Sequence, residues 1–248
     1  MAIILNLETA TTVCSVSLAK DGNLLALKEI NGDYSHAENL TLFIEAVCRQ
    51  AKLKLPEIEA VAVSKGPGSY TGLRIGVSTA KGICYSLNKP LIALNTLQHL
   101  ADGLPSRFSS RMSQPPPEPD ESSLAFYVSD LPLLSCPMID ARRMEVYCAV
   151  YDSGGNEIRS TAAEIIDEHS FSDLFEKNRI LFFGDGAAKC KDVLSKNKNA
   201  FFVKDVFPSA KDMIRLSEKA FSEKQFEDVA YFEPFYLKDF VAGKKKGE

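Results

Sequence analysis

The chain alternates short apolar runs with longer segments that carry a single apolar stripe. Residues 2–7 are apolar except for Asn6, the pattern of a buried strand, and Glu8 closes the run. Residues 13–18 (VCSVSL) predict a second strand, Asp21-Gly22 a tight hairpin turn, and residues 24–30 the returning strand. Ser35 and Glu38 form a capping box for a helix reaching about residue 51, with Leu40, Ile44, Val47 and Ala51 on one stripe that Phe43 and Ala46 widen. Residues 58–63 predict another strand, a Gly-Pro-Gly turn follows, and a helix is expected from about residue 71 to 87. Residues 91–94 read as a fifth strand and residues 96–100 as the start of a third helix. Three antiparallel strands followed by right-handed crossovers predict an α/β unit, a mixed sheet with helices on its faces.

The later part repeats this theme more loosely. A strand ends with Met138-Ile139 at Asp140, residues 145–151 form the next, and Asp152-Ser153-Gly154-Gly155 make a turn before a strand at 157–166. A short helix near residues 171–175, a strand at 180–183 and a helix opened by Gly184-Asp185-Gly186 complete it. Glu8 precedes Gly22 by 14 positions, and Asp140 precedes Gly154 by the same number, which points to an internal duplication. Between the halves, residues 106–123 read SRFSSRMSQPPPEPDESS. Serine and consecutive prolines exclude helix or central strand there, so a mobile linker or inserted loop is expected. The predicted division is residues 1–103, a loop at 104–135, and residues 136–248.

Composition narrows the function classes. With 248 residues, 45% hydrophobic and 25% charged, the chain suits a globular protein and not a fibrous or disordered one. Its formal net charge is −4, and residues 1–103 are balanced, so the later part carries the whole deficit. That balance argues against a protein that grips nucleic acid alone. The start has no basic leader, no apolar run is long enough to span a bilayer, and the six cysteines are scattered without a C-x-x-C pair. These features predict a cytoplasmic protein with reduced, buried thiols and no membrane contact.

The densest block is Ser64-Lys65-Gly66-Pro67-Gly68-Ser69-Tyr70-Thr71-Gly72-Leu73-Arg74. The free N–H groups of a glycine-rich turn at a helix N-terminus could hold an anion. The block meets neither the P-loop nor the dinucleotide spacing, however, and a strained turn that positions the following helix is the simpler reading. In that helix Gly72, Gly76 and Ala80 recur every four residues, beside an apolar stripe of Leu73, Val77, Cys84 and Leu87. Glycine in a helix costs up to ~1 kcal/mol relative to alanine, so the stripe implies close packing, on the chain's own sheet or on a partner's helix. Glu8 and Asp140, at two strand ends, are candidates for a metal that bridges nucleotide phosphates, and Gly184 and Gly186 for a nucleoside contact; turn-capping is the simpler role for the acids. His36, His99 and His169 show no i, i+4 pair, so no two-histidine metal site lies on one helix.

The segments ILNLETATTVCSVSL, SKGPGSYTGLRIGVSTAKGI, NKPLIALNTLQHLA and MIDARRMEVYCAVYD resemble the TsaB (YeaZ) family. The resemblance implies two ribonuclease-H-like subdomains of the actin-like ATPase superfamily. It also implies a non-catalytic scaffold or activator that binds TsaD, the subunit transferring threonylcarbamoyl to the tRNA adenosine beside the anticodon. An associated ATPase subunit, TsaE, would join the set, and tRNA would be contacted only indirectly. No cofactor or metal is implied: TsaD's paired histidines correspond to Thr96 and Leu100, with His99 out of register, and Glu8 stands where the family usually has Asp. Family interfaces use the first-half helices, which places Leu40, Phe43, Val47, Gly72, Leu73, Gly76 and Ala80 against TsaD or a second copy. On that placement Gly76→Leu blocks TsaD binding and leaves a folded monomer. Two other readings stay open, an actin-like phosphotransferase or ATPase and a metal-dependent glycoprotease-like peptidase.

Overall fold

The computed structural model describes residues 2–32, 36–104 and 131–238. In the first half, β1 (Ile3–Glu8), β2 (Val13–Lys20) and β3 (Asn23–Asn31) lead into α1 (His36–Ala51). Then come β4 (Ala60–Gly66), α2 (Tyr70–Leu87), β5 (Leu91–Asn95) and α3 (Thr96–Asp102). The second half runs β6 (Leu133–Asp140), β7 (Glu145–Tyr151), β8 (Glu157–Ile165), α4 (Ser172–Phe175), β9 (Arg179–Phe183), α5 (Ala187–Leu194) and β10 (Ala200–Phe202). A 3-10 turn (Ala210–Met213) and α6 (Ile214–Ser222) follow.

Local chemistry explains the boundaries. Asp21 and Gly22 both have positive φ, 51° and 74°, as the hairpin between β2 and β3 requires. The Ser69 hydroxyl accepts from the Gly72 amide at 3.3 Å and caps α2, while Asn88 ends it in the left-handed region. The capping box expected at Ser35 lies outside the described residues, as does the Ser/Pro-rich stretch at 106–123. β6 begins at Leu133 and takes the last three residues of the expected loop.

Each half holds one five-stranded sheet, ordered β3-β2-β1-β4-β5 and β8-β7-β6-β9-β10. The senses match position by position: the β1–β2 and β6–β7 pairs are antiparallel, and the β1–β4 and β6–β9 pairs parallel. The duplication suggested by Glu8 and Asp140 is therefore a repeat of topology, with both acids ending the central strand of their sheet.

Both faces of the first sheet are covered, which is why β1 and β4 read as nearly continuous apolar runs. On one face Leu5, Leu7, Val61 and Val63 pack with Leu40, Ile44, Val47, Val77 and Ala80 of α1 and α2. On the other, Ala2, Ile4, Ala60 and Ala62 pack with Ala210, Met213, Leu216 and Ala220, the small alanines admitting the turn and α6 closely. The second sheet packs one face on α4 and α5, with Phe171, Phe175 and Phe182 at its centre. Its other face meets α3: Leu97 joins Ile139, Ala149 and Tyr151, and Leu100 joins Leu181, Phe183 and Val206. The halves thus exchange their last helices.

This exchange corrects the predicted 136–248 unit, because residues 209–238 pack on the first sheet. The Ala210 amide donates to the Ser15 hydroxyl at 3.0 Å, and the Ser17 hydroxyl donates to the Ala210 carbonyl at 2.9 Å. The Phe235 amide donates to the Lys65 carbonyl at 2.7 Å, and Lys81 Nζ donates to the Ala230 and Phe232 carbonyls. All six cysteines are buried and unpaired, as a reduced interior would have them.

Candidate functional site

Glu8 ends β1, the central strand of the first sheet. Glu8 is fully buried there; its Oε1 accepts from the Ala10 amide at 2.5 Å. Its Oε2 lies 2.7 Å from His99 Nε2, also fully buried, without the alignment of a directed hydrogen bond. A carboxylate so enclosed is shielded from solvent by its own chain, and burial of a charge is costly unless it is paired. The Thr9–Thr11 loop beside it is occupied as well. Thr9 Oγ1 donates to the Gly72 carbonyl at 2.8 Å, the Ser69 amide donates to the Ala10 carbonyl, and His36 Nε2 stands 2.7 Å from the Thr11 carbonyl.

That loop is also what the glycine stripe packs against. A Cβ on Gly72 would sit 2.1 Å from the Thr9 carbonyl oxygen, and one on Gly76 would sit 2.2 Å from Thr9 Oγ1. Leu40, Val47, Leu73 and Ala80 are buried in the chain's own core, and Phe43 packs against that core half-buried. Gly72, Gly76, Ala80, Leu73, Leu40 and Val47 are therefore not surface positions, which corrects their assignment to a partner interface. Gly76→Leu would collide with β1–β2 and not spare the fold. The exposed face of these helices is a different one: Leu42 on α1 is 59% exposed and Tyr85 on α2 is 85% exposed. Ser78 and Gly82 are exposed on the same side of α2, and a Cβ on Gly82 would meet nothing within 4 Å.

At the matching place in the second half, Asp140 is exposed and pairs with Lys189, while its Oδ1 accepts from the Arg142 amide at 2.9 Å. Asp185 Oδ1 accepts from the Asp140 amide at 3.0 Å. Burial pushes the Asp185 carboxyl up to about 6; the hydrogen bond from the Asp140 amide pulls against this, and the Asp140 charge adds to the rise. Gly184, at φ 101°, and Gly186 are needed because a Cβ would sit 2.2 Å from the Met138 carbonyl oxygen and 2.8 Å from the Ile139 carbonyl carbon. These glycines seat their loop on β6. Glu8 and Asp140 are each engaged within their own half. Among the described residues, no group of three or more His, Cys, Asp and Glu is placed to hold a metal ion. No helix of the described residues is long and apolar enough to cross a membrane.

The pairing of His99 with Glu8 was missed from sequence. The signal available was a lone histidine among Leu97 and Leu100 on a helix that buries its whole inner face.

Two sheets of one repeated topology, joined through exchanged helices, define an actin-like ATPase fold of two ribonuclease-H-like halves. Residues 32–113 match the family model described as TsaD, tRNA N6-adenosine threonylcarbamoyltransferase. Along nearly its whole length the chain is similar to a tRNA threonylcarbamoyladenosine biosynthesis protein TsaB of Escherichia coli strain K12, at 28% identity over 98% of this chain and 97% of that one. It is 25% identical to the TsaB of Bacillus subtilis strain 168, over 95% and 93% of the two chains. YeaZ from Pseudomonas aeruginosa has the same fold, with a TM-score of 0.74 and 22% identity over 96% of this chain and 100% of that one. Along nearly its whole length, then, the chain is similar to proteins that carry the TsaB name.

Proposed function

We propose that this chain serves tRNA threonylcarbamoyladenosine biosynthesis as a non-catalytic scaffold that binds and activates the TsaD subunit. The observation that carries this reading is the division of α1 and α2 into two faces, one buried on the sheet and one presenting Leu42 and Tyr85 to solvent. An aromatic ring and a leucine over small neighbours make a suitable anchor for a helix of another subunit. The sealed Glu8 carboxylate supports the non-catalytic part, since the central strand of the first half displays no free acid. TsaE is the further subunit of the set, tRNA is held by TsaD, and a second copy of this chain competes for the same helical face.

The test is co-purification with TsaD, with Leu42→Asp and Tyr85→Asp introduced on the exposed face. Each variant should keep the wild-type circular dichroism spectrum and lose at least about tenfold in TsaD affinity, as central interface anchors do. Undiminished affinity in both would overturn the placement. Nucleotide hydrolysis by the isolated chain would overturn the non-catalytic reading.

A further inference from the structure

Beyond the ends of β4 and β5 lies a hollow of about 380 Å3, closed from the side by the chain returning after α6. Its polar wall brings Lys65 and Gln98 from the first half to face Lys224 and Glu227 from the return. Backbone contacts hold both sides. The Lys65 carbonyl accepts from the Phe235 amide, the Glu227 amide donates to the Leu91 carbonyl at 2.8 Å, and the Gln225 amide donates to the Ala220 carbonyl at 2.8 Å.

The side chains divide into those already engaged and those left free. Asn95 Oδ1 accepts from the Leu97 and Gln98 amides, and its Nδ2 donates to Thr161 Oγ1 at 3.0 Å, so it serves the fold. Among the described residues, the Lys65 and Lys224 ammonium groups, the Gln98 side-chain carboxamide and the Glu227 carboxylate make no hydrogen bond or ion pair. Two lysines that line one volume, neither of them ion-paired, suit an oxyanion. Glu227 on the same wall repels a ligand that is anionic throughout and accepts from one that also carries an amine. The volume falls within the ordinary range for small-molecule sites, roughly 300–1,000 Å3.

We propose that this hollow binds a small amine-bearing oxyanion, its phosphate or carboxylate between Lys65 and Lys224 and its amine against Glu227. The test is calorimetry on the full chain alone, with O-phosphoserine, L-serine and inorganic phosphate as probes, so TsaD binding has no bearing on the result. At least one amine-bearing probe should bind more tightly than inorganic phosphate. Preference for O-phosphoserine over L-serine assigns the anion seat to phosphate, and the reverse assigns it to carboxylate. Lys65→Met and Lys224→Met should each weaken binding about tenfold, as the loss of a charge-assisted hydrogen bond does. The matching arginine variants should retain it, and Glu227→Gln should erase the preference for an amine. No binding of any probe at millimolar concentration, or binding unchanged in the two methionine variants, would overturn the proposal.

Discussion

Two glycines six residues apart on α2 have opposite surroundings. Gly76 lies against Thr9 Oγ1, while Gly82 faces open space. Gly82→Ala should therefore stabilise the chain by about 0.5–1 kcal/mol, the usual gain from removing glycine from an exposed helix. Gly76→Ala gains the same propensity but pushes a methyl into Thr9, so a net loss of about 1–2 kcal/mol is expected from overpacking. Urea unfolding of the two variants checks the pair, and equal signs would contradict the packing described. The recurrence of Gly72, Gly76 and Ala80 made a close approach legible in the sequence. It did not say to what, because Thr9 is distant along the chain and comes to lie there only when β1 and β2 form.

At the scale of elements, the loop from β9 to α5 depends on Gly184 and Gly186 to settle on β6, and it carries Asp185 into a largely dry place. The value of about 6 in the folded chain lies above the ordinary 3.8, so the folded state holds this proton more tightly than the unfolded one. This group therefore favours folding below about pH 4, and stability falls as the pH rises from about 4 to about 6, by on the order of 2 kcal/mol. Asp185→Asn keeps an acceptor for the Asp140 amide and removes that dependence. Chemical unfolding on both sides of the window should show the wild type weakening relative to the variant as pH rises. A constant difference would remove Asp185 from the account. The strand and turn around this loop were readable from apolar runs and glycines, whereas the reason for the glycines, the Met138 and Ile139 backbone beneath them, was not.

At the scale of the whole molecule, the exchange of α3 and α6 makes the two halves one structure. Met213, Leu216 and Ala220 are buried on the first sheet, with Phe221 packed against them. Each large side chain among these contributes about 2 kcal/mol on burial, together comparable with the net stability of an ordinary domain. A chain ending at residue 208 should fail to show a cooperative thermal transition, although both sheets remain in its sequence. Cooperative unfolding near the wild-type midpoint would mean that the first half needs no cover from α6. A boundary between the sheets suggested two sequential units, and tertiary contacts joined residues 209–238 to the first.

What the sequence alone determined is local: strands from apolar runs, helices from stripes, hairpins from Asp-Gly and Gly-Gly, and duplication from two acids at equal spacing. These follow from backbone sterics and side-chain periodicity acting over a few residues. Only the tertiary structure decided that Glu8 is closed off by His99, that the glycine stripe of α2 faces Thr9, and that Leu42 and Tyr85 form the outward face. Each depends on which distant backbone or side chain comes to lie within a few ångströms, and spacing along one segment carries no record of that neighbour.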